Sequence, residues 1–175
     1  MQTALALNFT FQWTRSQIID ALDRYTSNTS EMQRENQAIA SGDRIASGDL
    51  DPRHLEAIID WKSPRPKRLI AQNTPEDIGD ALRVACTAPQ ERTAIAVLCG
   101  LRGIRVPMAS AILTAINRDR YTIIDWRALK ALTVKRSEVT IDNYLEYLAY
   151  CRDQAATLQV GLRDLDRALW ILGGE

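Results

Sequence analysis

Apolar residues recur at three- and four-residue intervals along most of the chain, which commits it to amphipathic helices packed on one another. Ile18, Ile19, Leu22 and Tyr25 share one side of a first predicted helix, with Ser16 placed to cap it. Asp51-Pro52 opens another that turns Leu55, Ile58 and Ile59 inward, and Thr74-Pro75 opens a third carrying Ile78, Ala81, Leu82 and Ala85. Pro89 ends that helix. "TAIAVLCGL" is apolar on nearly every side, so the spacing predicts a helix at the centre of the fold. Pro107 starts one with Ala109, Ile112, Leu113 and Ile116 on a single face. Thr140 caps a long one with Tyr144, Leu145, Leu148 and Ala155, and Leu162, Leu165, Leu169 and Leu172 make the last. "ASGD" at 40–43 and again at 46–49 reads as flexible turn sequence. Alternating Leu5, Leu7, Phe9, Phe11 and Trp13 predict a short extended segment or edge strand at the N-terminus. The expectation is a mainly α fold, a compact bundle of about 8 helices forming one domain over residues 1–175.

Composition narrows the class without naming a partner. The chain has 22 Lys plus Arg against 22 Asp plus Glu, so bulk charge gives no argument for nucleic acid or membrane. Cys86, Cys99 and Cys151 lie too far apart for a metal or iron-sulfur site and are odd in number. They read as core thiols of a cytoplasmic protein. "MQTALALNFTFQW" has neither the basic start of a signal peptide nor the apolar length of a membrane anchor. His54, the single histidine, follows a helix start among polar neighbours and is expected exposed, without a role. Glu56, Asp60, Glu76 and Asp77 read as helix-face or first-turn charges.

Charge is instead distributed unevenly. Residues 101–136 hold Arg102, Arg105, Arg118, Arg120, Arg127, Lys130, Lys135 and Arg136 against Asp119 and Asp125, a local charge of +6 in a neutral chain. A second cluster, "WKSPRPKR", gathers Lys62, Arg65, Lys67 and Arg68. Such polarity is what a face that neutralises phosphates requires. The basic segment also begins with a glycine turn at Leu101 to Val106 between two predicted helices, and a helix, a tight hairpin and a second helix direct backbone N–H groups outward, where they attract anions.

"LRGIRVPMA", about a dozen residues of apolar helix and then "YTIIDWRALKAL" resemble the helix-hairpin-helix DNA glycosylase superfamily, in particular its endonuclease III-like members. The family's hairpin reads L-P-G-V-G-x-K-T-A, and a V-D-T-H-like stretch carrying the catalytic aspartate follows it. The likeness covers roughly residues 90 to 135, and Pro107, at the family lysine's position, stands 18 residues before Asp125, the spacing the pattern has. Proline cannot form the Schiff base of the bifunctional members, so the resemblance implies a divergent, monofunctional glycosylase. Arg105 replaces the second hairpin glycine, Trp126-Arg127 replaces the family's Thr-His, and no cysteine quartet follows, so no iron-sulfur cluster, metal or other cofactor is expected.

By that resemblance Asp125 is the catalytic residue. It would lie beneath the deoxyribose and stabilise the positive charge that develops as the base departs. Arg102, Gly103, Ile104 and Arg105 of the hairpin, with Lys62, Arg127 and Lys130, would hold the backbone of double-stranded DNA, and Trp61 and Trp126 would wall the pocket for a flipped base. Lys62 is placed either to touch a phosphate or to reach that pocket, while Trp13 and Trp170 read as core aromatics. The protein would act as a monomer, in base-excision repair or in defence against modified viral DNA. Read from the residues alone, Asp125 is also a good N-cap for "WRALKAL". A non-catalytic helix-hairpin-helix DNA-binding module is therefore the alternative, and a helical protein-interaction domain with a basic face is a third reading.

Overall fold

The computed structural model describes residues 7–135 and 139–175, which form ten helices and, among those residues, no strand. In chain order they are α1 (Arg15–Thr26), α2 (Thr29–Ala46), α3 (Pro52–Lys62), α4 (Lys67–Ile70), α5 (Pro75–Thr87), α6 (Glu91–Cys99), α7 (Val106–Ile116), α8 (Trp126–Ala131), α9 (Ile141–Leu158) and α10 (Leu162–Leu172). Eight of these helices have seven or more residues. Buried residues from nearly every helix join in one apolar core.

The helix starts follow from side chains that accept the orphan amides of a first turn. Asp51 accepts from Arg53 N–H at 2.9 Å, Thr74 from Asp77 N–H at 3.1 Å and Thr140 from Asn143 N–H at 3.2 Å. At α1 the cap is Thr14, not Ser16. Thr14 forms a reciprocal capping box with Gln17, three residues on, whereas the residue three beyond Ser16 is Ile19, which has no polar group to return the bond.

The central helix is α7 rather than α6. Ten of α7's eleven residues, all but Pro107, are buried, whereas α6 keeps Thr93 and Ala96 exposed and buries Ala94, Ile95 and Leu98 on one side. Each fully buried Ile or Leu of α7, such as Ile112 or Leu113, is worth about 1.5–3 kcal/mol of apolar transfer.

The first "ASGD" is helix, not turn, and lies inside the 18-residue α2. Gly42 brings α2 against α7 so closely that a β-carbon there would enter the Ala115 carbonyl. Only the second copy turns the chain, with Gly48 at φ +94°.

The N-terminal segment is an extended strap. Leu7, Phe9, Phe11 and Trp13 are half-buried on the core while Asn8, Thr10 and Gln12 are exposed. Thr10 N–H donates to the Leu132 carbonyl at 3.0 Å and Trp13 Nε1 to the Ala131 carbonyl at 2.8 Å, so the strap is pinned without a ladder. Leu5 and Arg136 lie outside the described residues.

Candidate functional site

The hairpin between α6 and α7 is a tight turn in which Ile104 N–H donates to the Leu101 carbonyl at 3.2 Å. Gly103 has φ +82°, and a β-carbon there would stand 2.8 Å from Leu69 Cβ, so the turn requires glycine both for its backbone and for its approach to α4. Asn73 clamps the turn from outside, its amide donating to the Arg102 carbonyl at 3.1 Å and accepting from Arg102 N–H at 2.8 Å. Leu101 and Ile104 are buried, and Arg102 and Arg105 face solvent.

Asp125 lies at the end of a buried extended segment, Tyr121 to Ile124, whose backbone has no sheet neighbour and is held at four points by side chains. Tyr144 and Tyr147 donate their hydroxyls to the Thr122 and Ile123 carbonyls at 3.2 and 3.0 Å. Ile123 N–H donates to Asp166 Oδ2 at 3.3 Å. Ile124 N–H donates to Ser110 Oγ at 3.2 Å, and that hydroxyl donates onward to the Pro107 carbonyl at 2.9 Å. This chain of bonds ties the start of α7 to the residue before Asp125. On the far side, α10 ends against α8, where a β-carbon on Gly173 would enter the Arg127 carbonyl.

The Asp125 carboxylate is fully engaged. Oδ1 accepts from the N–H groups of Arg127 and Ala128, both at 3.0 Å, and Oδ2 accepts from Lys62 Nζ at 2.7 Å. Burial pushes its pKa up, but the Lys62 ammonium and the two α8 amides outweigh that and hold the carboxyl below the usual carboxylate range. It is therefore ionised throughout the neutral range. Its side chain is only 13% exposed, yet it lines two connected openings.

The inner opening is a pocket of about 200 Å³ walled by Tyr25, Trp61 and Trp170, with Lys62, Asp125 and Asp166 among its polar lining. The outer one is a groove of about 980 Å³ that runs from Ile104, Arg105 and Pro107 past Asp125 and Lys62 to Trp126, Arg127 and Trp170. Beneath the pocket lies a charged network that the sequence reading did not detect. Glu35, fully buried on α2, accepts from Arg163 Nε at 2.8 Å, Arg167 Nη2 at 2.8 Å and the Tyr25 hydroxyl at 2.7 Å. Asp166 pairs with Arg163. Burial and the nearby Asp125 push the Asp166 carboxyl up, against the pull of Arg163. The signal was present in α10, where Arg163, Asp166, Arg167 and Trp170 recur at i, i+3, i+4 and i+7 as a polar stripe opposite the leucines.

The predicted site residues divide accordingly. Lys62, Trp61 and Asp125 come together in the pocket, and Lys62 lines the groove as well. Trp126 is 57% exposed on the groove and is no part of the inner pocket wall, because α8 turns it outward; Trp170, expected in the core, takes that wall. Arg127 is half-buried, its guanidinium 4.0 Å from the Trp170 ring centre. Lys130 is exposed beside Arg65, Trp126 and Lys135.

The basic cluster is also divided. Arg118 pairs with Asp43 at 3.0 Å, and Arg120 donates to the Ala88 and Pro89 carbonyls, so both serve the fold. Lys67 pairs with Asp60 at 2.9 Å. Arg65, Arg105, Lys130 and Lys135 have no acidic partner among the described residues. His54 is partly buried, not exposed, because Asp49 takes its Nε2 at 3.0 Å. Burial pushes the thiols of Cys86, Cys99 and Cys151 up, which makes them poor nucleophiles. No three His, Cys, Asp or Glu side chains among the described residues stand together as a metal site would need, and no described helix is long and apolar enough to cross a membrane.

Comparison with protein families, with curated proteins and with solved structures finds no match to this chain.

Proposed function

We propose that the chain is a DNA glycosylase that cleaves the N-glycosidic bond of a damaged or modified base flipped out of double-stranded DNA. The observation that carries this reading is the placement of one ionised carboxylate, Asp125, where a glycine hairpin's groove meets an aromatic-walled pocket. A phosphate backbone lying along Arg105 and the start of α7 would bring a sugar over Asp125 and its base towards Trp61 and Trp170. The carboxylate then stabilises the oxocarbenium character of the sugar and orients the attacking water, while the fixed α8 amides spare it any reorganisation. Removal of a lesion and removal of a modified viral base are both served by this chemistry.

Asp125→Asn tests the reading. Asparagine caps a helix about as well as aspartate, so α8 should persist while the negative charge is lost. Release of free base from DNAs carrying damaged, deaminated and hypermodified bases, measured by mass spectrometry, is expected to fall by about 100-fold or more in the variant. Full release by Asp125→Asn would remove Asp125 from the chemistry.

A second reading, a non-catalytic DNA-binding module, is favoured by one observation: both oxygens of Asp125 are already occupied by the α8 amides and Lys62, as a purely structural cap would have them. Salt-sensitive DNA binding without base release from any substrate is the outcome that selects it.

A further inference from the structure

At Trp126 the groove meets a separate hollow of about 680 Å³, lined by Arg65, Trp126, Lys130, Thr133, Val134 and Lys135. None of these side chains lines the pocket of Asp125. Two features set the hollow apart. Arg24, Arg53, Arg83 and Arg92, exposed elsewhere on the molecule, each hold a carboxylate, whereas Arg65, Lys130 and Lys135 have no acidic partner among the described residues. Three uncompensated cations around one opening repel one another and attract an anion. The second feature is Trp126, at 57% more exposed than any other large apolar side chain among the described residues. The Arg127 guanidinium, 5.3 Å from its ring centre, covers the indole only in part.

The turn that closes α8 forms part of the wall. Thr133 N–H donates to the Lys130 carbonyl at 3.0 Å and Val134 N–H to the Leu129 carbonyl at 2.9 Å, which puts Thr133 in the left-handed region at φ +61°. Glycine is the usual residue there, so a β-branched side chain is held under strain at the edge of the hollow. The strap's Thr10 N–H and Trp13 Nε1 donate to the Leu132 and Ala131 carbonyls and fix the end of α8.

We propose that this hollow binds single-stranded nucleic acid, with an unpaired base stacked on Trp126 and the flanking phosphates on Arg65, Lys130 and Lys135. The cations require an anion and the indole a flat apolar partner, and a nucleotide supplies both. A duplex covers its base faces with neighbouring pairs and offers only edges and phosphates, whereas an unpaired strand offers a face at every nucleotide. An acidic peptide would neutralise the cations and leave the indole bare. The site stands on these observations whether or not Asp125 cleaves a glycosidic bond. Where both readings hold, the DNA best served carries an unpaired stretch beside the target base, because Trp126 borders both openings.

The test uses the whole chain and fluorescent oligomers of about 12 nucleotides, thymidine DNA or uridine RNA, read by anisotropy beside polyglutamate of matched charge. A second preparation of each strand carries 5-iodouracil, which cross-links under ultraviolet light to an aromatic ring stacked on it. Trypsin releases Trp126 in the peptide YTIIDWR, whose other aromatic residue, Tyr121, is buried, so the attachment is readily assigned. The expected result is salt-sensitive binding of a single strand and a cross-link at Trp126. The tighter of the two strands names the source. Affinity should fall about tenfold in Trp126→Ala and stay near the wild-type value in Trp126→Phe. In Lys130→Gln the slope of log affinity against log salt should become shallower by about 0.7, one lost phosphate contact. No binding of either strand, a cross-link confined to another residue, or unchanged affinity in Trp126→Ala overturns the proposal. So does a duplex that cross-links at Trp126 as efficiently as the single strand. Polyglutamate that binds as tightly as the strands makes this the surface for an acidic protein and overturns it too. The wild-type cross-link decides the matter even if a variant fails to fold, and none of these readouts depends on base release by Asp125.

Discussion

Asp125 performs two tasks with one side chain, and the two can be separated. As a cap it takes two amides of α8, and as a charge it balances Lys62. Its carboxyl is held below the usual carboxylate range by Lys62 and those amides, against the opposing effect of burial. On the proposed glycosylase reading, base release should persist through the ordinary carboxylate range and decline only below it, a profile read by single-turnover rates across the acid range. The sign is that of any lowered carboxylate: the ionised state, and the stability its pairing contributes, is present above the unfolded pKa and is lost as pH falls through the folded one. Asp125→Asn should abolish this acid limb together with the activity. On the proposed reading, Arg105 is the corresponding residue for DNA binding. It is exposed at the hairpin and has no acidic partner among the described residues, so Arg105→Ala should weaken binding to all DNA sequences alike. In a titration of affinity against salt, the slope should become shallower by about one unit, the signature of one lost phosphate contact.

Two helix contacts hold the pocket in shape. At Gly42, α2 and α7 approach so closely that Gly42→Ala must push them apart. Inserting a methyl group against backbone should cost at least about 3 kcal/mol, seen as a lower midpoint in chemical unfolding. The second contact is electrostatic, and joins α1, α2 and α10 through Glu35. Burial pushes the Glu35 carboxyl up, but Arg163, Arg167 and the Tyr25 hydroxyl bring it down to about 2 from an ordinary 4.5. Its contribution is therefore complete above pH 4.5 and lost progressively towards pH 2. Glu35→Gln, which leaves the buried Arg163 and the half-buried Arg167 short of a charge, should cost roughly 3–5 kcal/mol at neutral pH. Thermal unfolding of the variant should also lose much of the acid sensitivity of the wild type. An equal melting temperature for the two proteins at neutral pH would show that the network contributes no stability.

At the scale of the molecule, most helices were legible from spacing and caps. Asp51, Thr74 and Thr140 each start the helix expected of them, because capping is a bond between residues two or three apart and needs no knowledge of the rest of the fold. α2 was not legible. Its glycine and small polar residues read as a turn until α7 is beside it, and only that partner gives Gly42 a reason to be in a helix. The hairpin, the aspartate and the 18 residues from Pro107 to Asp125 could be counted along the chain, whereas the Ser110 bridge between the start of α7 and Ile124 could not. Thus the sequence by itself determined the helical class, the helix starts and the position of the hairpin, all of which depend on neighbours within a turn or two. The tertiary structure decided which tryptophan faces the pocket, where Lys62 points and what buries Glu35. Those outcomes depend on residues up to 132 positions apart, as from Glu35 to Arg167, brought together only when the helices pack.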